Sequence, residues 1–166
     1  MAVPVHPEDP APDQPQTPPP VRDFLQAARY GDLEDVQRLL AQGTSVSSQD
    51  VQGRTALHMA SANGHLDVVK CLIEHGANVN MCNLEQNSPL HYAVLNAHKP
   101  VVEFLISAGA NVSAINRYDR TPVDEAVSKG DVSLIECITR AAPIAEEPTN
   151  GEANGAPDHA SAMEEE

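Results

Sequence analysis

The chain has 166 residues and a formal net charge of −14, and its two ends differ from its middle. Residues 1 to 20 hold eight of the fourteen prolines, which withdraw backbone donors and favour extended conformations. Residues 143 to 166 hold only Ile144 and Met163 as large apolar groups, too few to offset the entropy of ordering them. This excludes both ends from a core and leaves Val21 to Ala141 as the folded part, enough for one domain.

The charge is concentrated at the ends. Glu8, Asp9 and Asp13 precede the folded part, and Glu146, Glu147, Glu152, Asp158, Glu164, Glu165 and Glu166 follow it, with no Lys or Arg among them. Such anionic segments repel nucleic acid and anionic membranes and attract a basic protein. No charged start leads into an apolar run, and no apolar stretch is long enough for a bilayer, which predicts a soluble, cytoplasmic chain with access to the nucleus. Three cysteines, Cys71, Cys82 and Cys137, lack paired spacing and argue for a reducing compartment. In the N-terminal segment, Thr17-Pro18 has the pattern of a proline-directed phosphorylation site. Pro15 and Pro18 form a PxxP spacing without a basic neighbour, a weak ligand for an SH3 domain.

From Val21 onward the elements recur every 33 residues. A first helix offers Arg22, Asp23, Gln26 and Arg29 to solvent. Thr55, Ser88 and Thr121 then precede short apolar helical stretches that their hydroxyls can cap, and Pro89 and Pro122 sit where a first turn tolerates a missing N–H. Gly31, Gly64 and Gly130 permit the positive φ of a sharp turn, after which a second helix carries apolar residues at helical spacing, as in Leu66 to His75. Gly76 ends that helix, and Ala77 to Asn87 is a turn-rich finger leading into the next unit. Ala27, Ala60, Ala93 and Ala126 keep this step, as do Leu39, Leu72, Leu105 and Ile138. A period of this kind signals stacked units, each covering its neighbour's apolar face.

Two stretches, GRTALHMASANGHLDVVKCLIEHGANVN (53 to 80) and NSPLHYAVLNAHKPVVEFLISAGANVS (87 to 113), resemble the ankyrin-repeat family, with its Thr-Pro-Leu-His-x-Ala start and Gly-Ala-x-Val-Asn end. The resemblance implies an all-α solenoid of helix-turn-helix units with β-hairpin fingers. Its four repeats would span 21–50, 51–83, 84–116 and 117–141, flanked by disordered tails at 1–20 and 142–166. The third repeat departs from the pattern. Gln86 stands in the register of Gly53, Ala97 in that of Gly64, and Pro100 enters the second helix, so a local distortion is expected there.

The chemistry-bearing residues fit the repeat better than a reaction. His58 and His91 share one register, where the resemblance implies hydrogen bonds to backbone and to Thr or Ser hydroxyls. Asp124 replaces them in the last repeat, a change that a structural hydrogen bond tolerates. His65 and His98 share another register with Asp32 and Asp131. Cys71 and His75 have ligand spacing on one helix, but Cys71 lies in the register of Phe104 and Cys137, which favours burial over metal binding. Cys82, in a finger, has no activating neighbour. No phosphate loop, nucleophile elbow or paired acid is present, so neither an enzyme nor a cofactor is expected.

The resemblance further implies that partners contact finger tips and the exposed side of each first helix. Here these are Val51, Gln52, Arg54, Leu84, Glu85, Asn87, Arg117, Tyr118 and Arg120 on fingers, with Asn63, Leu95, Asn96 and Lys129 on helices. Leu84, Leu95 and Tyr118 would anchor a partner. Arg54, Arg117, Arg120 and Lys129 would make one half of the groove basic and a resting place for the acidic tail. The expected function is protein binding by a monomer, without nucleic-acid or membrane contact. The layout is similar to small ankyrin-repeat escorts of a basic ribosomal protein of the small subunit, chaperones in ribosome biogenesis. A regulatory inhibitor of a kinase or other signalling enzyme, or a scaffold or adaptor, is the alternative.

Overall fold

The computed structural model describes residues 18–142. Eight helices follow one another in four antiparallel pairs: α1 (Pro19–Tyr30) with α2 (Leu33–Ala41), α3 (Ala56–Asn63) with α4 (Leu66–Glu74), α5 (Pro89–Leu95) with α6 (Lys99–Ser107), and α7 (Pro122–Lys129) with α8 (Val132–Ala141). The first helices of the pairs stack in one layer and the second helices in another. α1 begins two residues before Val21. Pro19 and Pro20 occupy its first turn, where a missing N–H costs nothing because no carbonyl precedes it to accept a bond. The N-terminal residues before Pro18 and the C-terminal residues after Ala142, including Thr17, Pro15 and both acidic segments, lie outside the described residues.

Local chemistry explains the starts of the helices. Thr55, Ser88 and Thr121 each accept the third helical N–H, while the side chain at that third position (His58, His91 or Asp124) accepts the N–H of the capping residue. Any acceptor of suitable reach completes this reciprocal box, so imidazole and carboxylate interchange there. The core runs the length of the stack. Phe24, Leu57 and Leu90 are fully buried in one register, Leu72, Leu105 and Ile138 in another, and the alanines at 27, 60, 93 and 126 let neighbouring helices approach. Ser61, between them, has a buried hydroxyl oxygen with no hydrogen-bond partner. Ser61→Ala is therefore expected to raise the unfolding free energy by about 1 kcal/mol, read from the urea midpoint.

The expected distortion of the third repeat is absent from its inter-helix turn. Ala97 adopts φ 58°, and His98 N–H still donates to the Ala93 carbonyl as His65 N–H does to that of Ala60. The strain is accepted and the turn does not shift. The main local difference is that α5 ends one residue earlier than α3 relative to the repeat, and Pro100 falls harmlessly in the first turn of α6.

In the fingers, Asp50, Asn83 and Asn116 each use one side-chain oxygen to accept two backbone N–H groups, two and four residues ahead. Gly53, Gln86 and Asp119 then turn the chain with positive φ. Among the described residues the hairpin ladder expected of these fingers reduces to a single antiparallel bridge, Gln49 with Thr55. The side-chain turns satisfy the backbone that a strand ladder would otherwise pair. Fingers are joined to each other by Leu84 N–H to the Gln52 carbonyl and Arg117 N–H to that of Glu85.

Candidate protein-binding groove

Both nitrogens of the buried histidines are engaged in architecture. His58 Nδ1 accepts from Thr55 N–H at 3.1 Å, which leaves the ring proton on Nε2 to donate to the Asn87 carbonyl at 3.0 Å. His91 repeats this with Ser88 N–H and the Arg120 carbonyl. Each ring thus ties the start of one repeat to the finger of the next. Burial is the main force on both, pushing the His58 pKa down to about 4 and that of His91 in the same direction. His65 and His98 reach backwards, their Nε2 atoms 2.9 Å and 3.0 Å from the carbonyls of Arg29 and Ala62 in the preceding repeat. These bonds were not foreseen from the sequence, since a partner 36 residues away has no local signature.

Cys71 and His75 do not make a ligand pair of the usual kind. The sulfur is 3.7 Å from His75 Nδ1, and that nitrogen lies 2.8 Å from the Cys71 carbonyl, placed to donate to it. Among the described residues no three His, Cys, Asp or Glu side chains are placed to hold a metal ion. Burial raises the thiol pKa of Cys71, Cys82 and Cys137, the opposite of activation.

The concave side holds a groove of about 760 Å³ between the first helices and the fingers. Eight of the thirteen residues predicted from the sequence line it: Arg54, Asn63, Glu85, Asn87, Leu95, Asn96, Tyr118 and Lys129. Val51, Gln52, Leu84, Arg117 and Arg120 are exposed on the fingers outside this lining. Leu84 and Tyr118 expose 69% and 60% of their surface, a wasteful arrangement unless something covers them, whereas Leu95 is half-buried in the groove floor.

Three of the predicted contact residues have other work. Asn87 is buried, its N–H bound to Asn83 Oδ1 and its Oδ1 accepting from Asn116 Nδ2, so it braces adjacent fingers. Arg54 keeps only 12% of its side chain exposed and pairs with Asp50 at 2.6 Å. Arg120 likewise pairs with Glu125 at 3.2 Å and reaches Ser128. The basic half-groove expected from four cations is correspondingly reduced, because two guanidiniums face carboxylates of the framework. Arg117 lies over the Tyr118 ring, 5.9 Å from its centroid.

Met59, Tyr92 and Glu125, absent from the residues expected to contact a partner, also line the groove. They share one register, three residues before Ala62, Leu95 and Ser128, so helical spacing carried the signal. Tyr92 accepts a bond from Asn83 Nδ2 on its hydroxyl. Asn63 and Asn96 donate to the Met59 and Tyr92 carbonyls one turn back, which leaves their side-chain oxygens as acceptors for a partner.

Family models described as ankyrin repeats in three copies and in many copies match residues 24–116 and 96–138. The chain belongs to the ankyrin-repeat family. No protein of curated function matches it. As an ankyrin-repeat protein it is a module for binding other proteins, with a frame constant in its capping boxes and variable along the groove. No helix among its described residues is long and apolar enough to cross a membrane.

Proposed function

We propose that this ankyrin-repeat protein is a non-enzymatic, monomeric escort that holds a segment of a client protein in its concave groove. The observation that carries the reading is the exposure of Leu84 and Tyr118 on neighbouring fingers, beside a groove whose floor alternates apolar groups, Met59 and Leu95, with the acceptors Asn63 and Asn96. Aromatic and aliphatic anchors at the edge of a rigid concavity are the features that concentrate binding energy. Ten acidic residues outside the described residues supply long-range attraction for a basic client, such as a newly made ribosomal protein of the small subunit in cytoplasm or nucleus.

The test is capture of clients from extract by the full chain at low and at physiological salt, followed by titration of the purified client. Leu84→Asp with Tyr118→Asp is expected to weaken that binding at least tenfold with an unchanged unfolding midpoint, because neither side chain is part of the core. A client that is acidic, or a kinase whose binding ignores salt, would sink the escort reading and favour a regulatory inhibitor. Unchanged affinity in the double variant would remove the groove edge from the interface.

A further inference from the structure

The last repeat exposes apolar side chains that every earlier repeat covers. Val127 lies in the register of Ala28, Ser61 and Val94, all three fully buried against the following repeat, yet it exposes 57% of its surface. Ile135 lies in the register of Val36, Val69 and Val102, all 0% exposed, and is only partly buried. Val123 shows the same change relative to Phe24, Leu57 and Leu90, and Val132 is 65% exposed where Leu33, Leu66 and Lys99 are half-covered. Together they form an apolar strip along α7 and α8 on the side where a fifth repeat would stack. Polar residues blunt only part of this end: Glu136, Thr139 and Arg140 are exposed, and Arg140 is paired with Glu103. Residues 143–166 contain no further copy of the repeat to cover the rest.

We infer that this strip is the docking surface for the chain's own residues 143–148, Pro-Ile-Ala-Glu-Glu-Pro, which cap the solenoid in place of another repeat. The segment leaves α8 at Ala142, the end from which the preceding repeats send their fingers, so it starts at the rim of the strip. α8 has ten residues and is about 15 Å long, and six extended residues reach about 20 Å, enough to run back along it. Ile144, two residues beyond Ala142, is the large aliphatic side chain of this segment and matches Val123, Val127 and Ile135 in chemistry. Pro143 and Pro148 lack N–H groups and favour an extended conformation, which lowers the entropy lost on docking.

A second copy of the chain is the less suitable occupant. The four side chains expose on the order of 300 Å², against the roughly 800 Å² that each partner gives to a stable interface. A tethered segment needs far less, because a short linker presents it at millimolar effective concentration. Docking would also keep the acidic residues from Glu146 onward near one end of the body, leaving the groove itself open to a client.

The experiment uses the full chain and compares it with Ile144→Asp, a change beyond the last helix that leaves the repeat core untouched. In the unaltered chain, nuclear Overhauser contacts are expected between the Ile144 methyls and those of Val127 or Ile135. Ile144→Asp should abolish them and accelerate amide exchange in α7 and α8 by about tenfold, with α3 to α6 unchanged. In a Val127→Ser background the same substitution should have little further effect, since the shared contact is already lost. Absence of these contacts together with unchanged exchange in Ile144→Asp would overturn the inference. So would sedimentation of the unaltered chain as a dimer that Val127→Ser and Val132→Ser disperse, which would assign the strip to a second copy.

Discussion

Acidification from pH 7 to pH 4 is expected to remove about 3 kcal/mol of stability through His58 alone, with a further loss from His91. The folded protein holds the His58 ring neutral down to about pH 4 because burial excludes the water that would solvate its charge, whereas the unfolded chain takes up the proton near pH 6.5. Between those values the unfolded state binds more protons than the folded one. Stability is therefore complete above pH 6.5, declines as pH falls, and levels off below about pH 4; a difference of 2.5 pH units corresponds to about 3 kcal/mol. Geometry supports the direction: Nδ1 faces the Thr55 N–H, and a proton placed there would meet a donor. Urea unfolding at pH 7.5, 5.5 and 4 measures the slope. His58→Gln should be less stable at pH 7.5 and show a flatter decline. An equal slope in that variant would transfer the effect to carboxylates. Among these, Asp124 is held below the usual carboxylate range by its bonds to the Thr121 N–H and hydroxyl, and it would act at lower pH.

Gly64→Ala is expected to destabilise the protein by about 2 to 3 kcal/mol, while Ala97→Gly, in the same register of the next repeat, stabilises it by about 0.5 to 1 kcal/mol. Both positions have left-handed backbone, φ 76° and 58°. They differ in their surroundings. A Cβ on Gly64 would stand 2.6 Å from Nδ1 of His98, whose Nε2 holds the Ala62 carbonyl, so the new methyl must displace a ring that joins two repeats. Gly31 faces His65 in the same way, at 2.5 Å. Ala97 escapes this conflict because the corresponding residue of the next repeat is Asp131, which has no ring and uses its carboxylate to cap α8 through the Leu134 N–H. Only the backbone strain remains there, and glycine relieves it. Chemical denaturation of the two variants should move the midpoint in opposite directions. A cycle with His98→Ala separates the steric part, since removing the ring should leave Gly64→Ala with its backbone cost alone.

Much of this molecule was legible in one dimension because its contacts repeat. A 33-residue period in Ala27, Ala60, Ala93 and Ala126 implies that each helix meets its neighbour at the same height, and the capping hydroxyls at 55, 88 and 121 mark where helices start. Eight groove residues followed from the family resemblance carried over position by position. Charge was harder to read. Arg54 and Arg120 look like free cations at finger positions, but only the folded backbone brings Asp50 and Glu125 within pairing distance. Asn87 reads as a variable tip residue, and only the stacking of fingers shows that it joins Asn83 to Asn116.

The helix pairs and their stacking order could be read along the chain. These depend on short-range periodicity: a turn, a cap and an apolar face recur within a few residues, and stacking merely multiplies them. Which polar groups are spent on holding repeats together, and which apolar groups are left uncovered, depends on how the repeats stack. His65 and His98 bond across 36 residues, and Val127 is exposed only because nothing in the described chain follows it where Val94 has a neighbour. Both facts belong to the space between units, where burial and hydrogen-bond satisfaction are settled by what stacks next rather than by the residue itself.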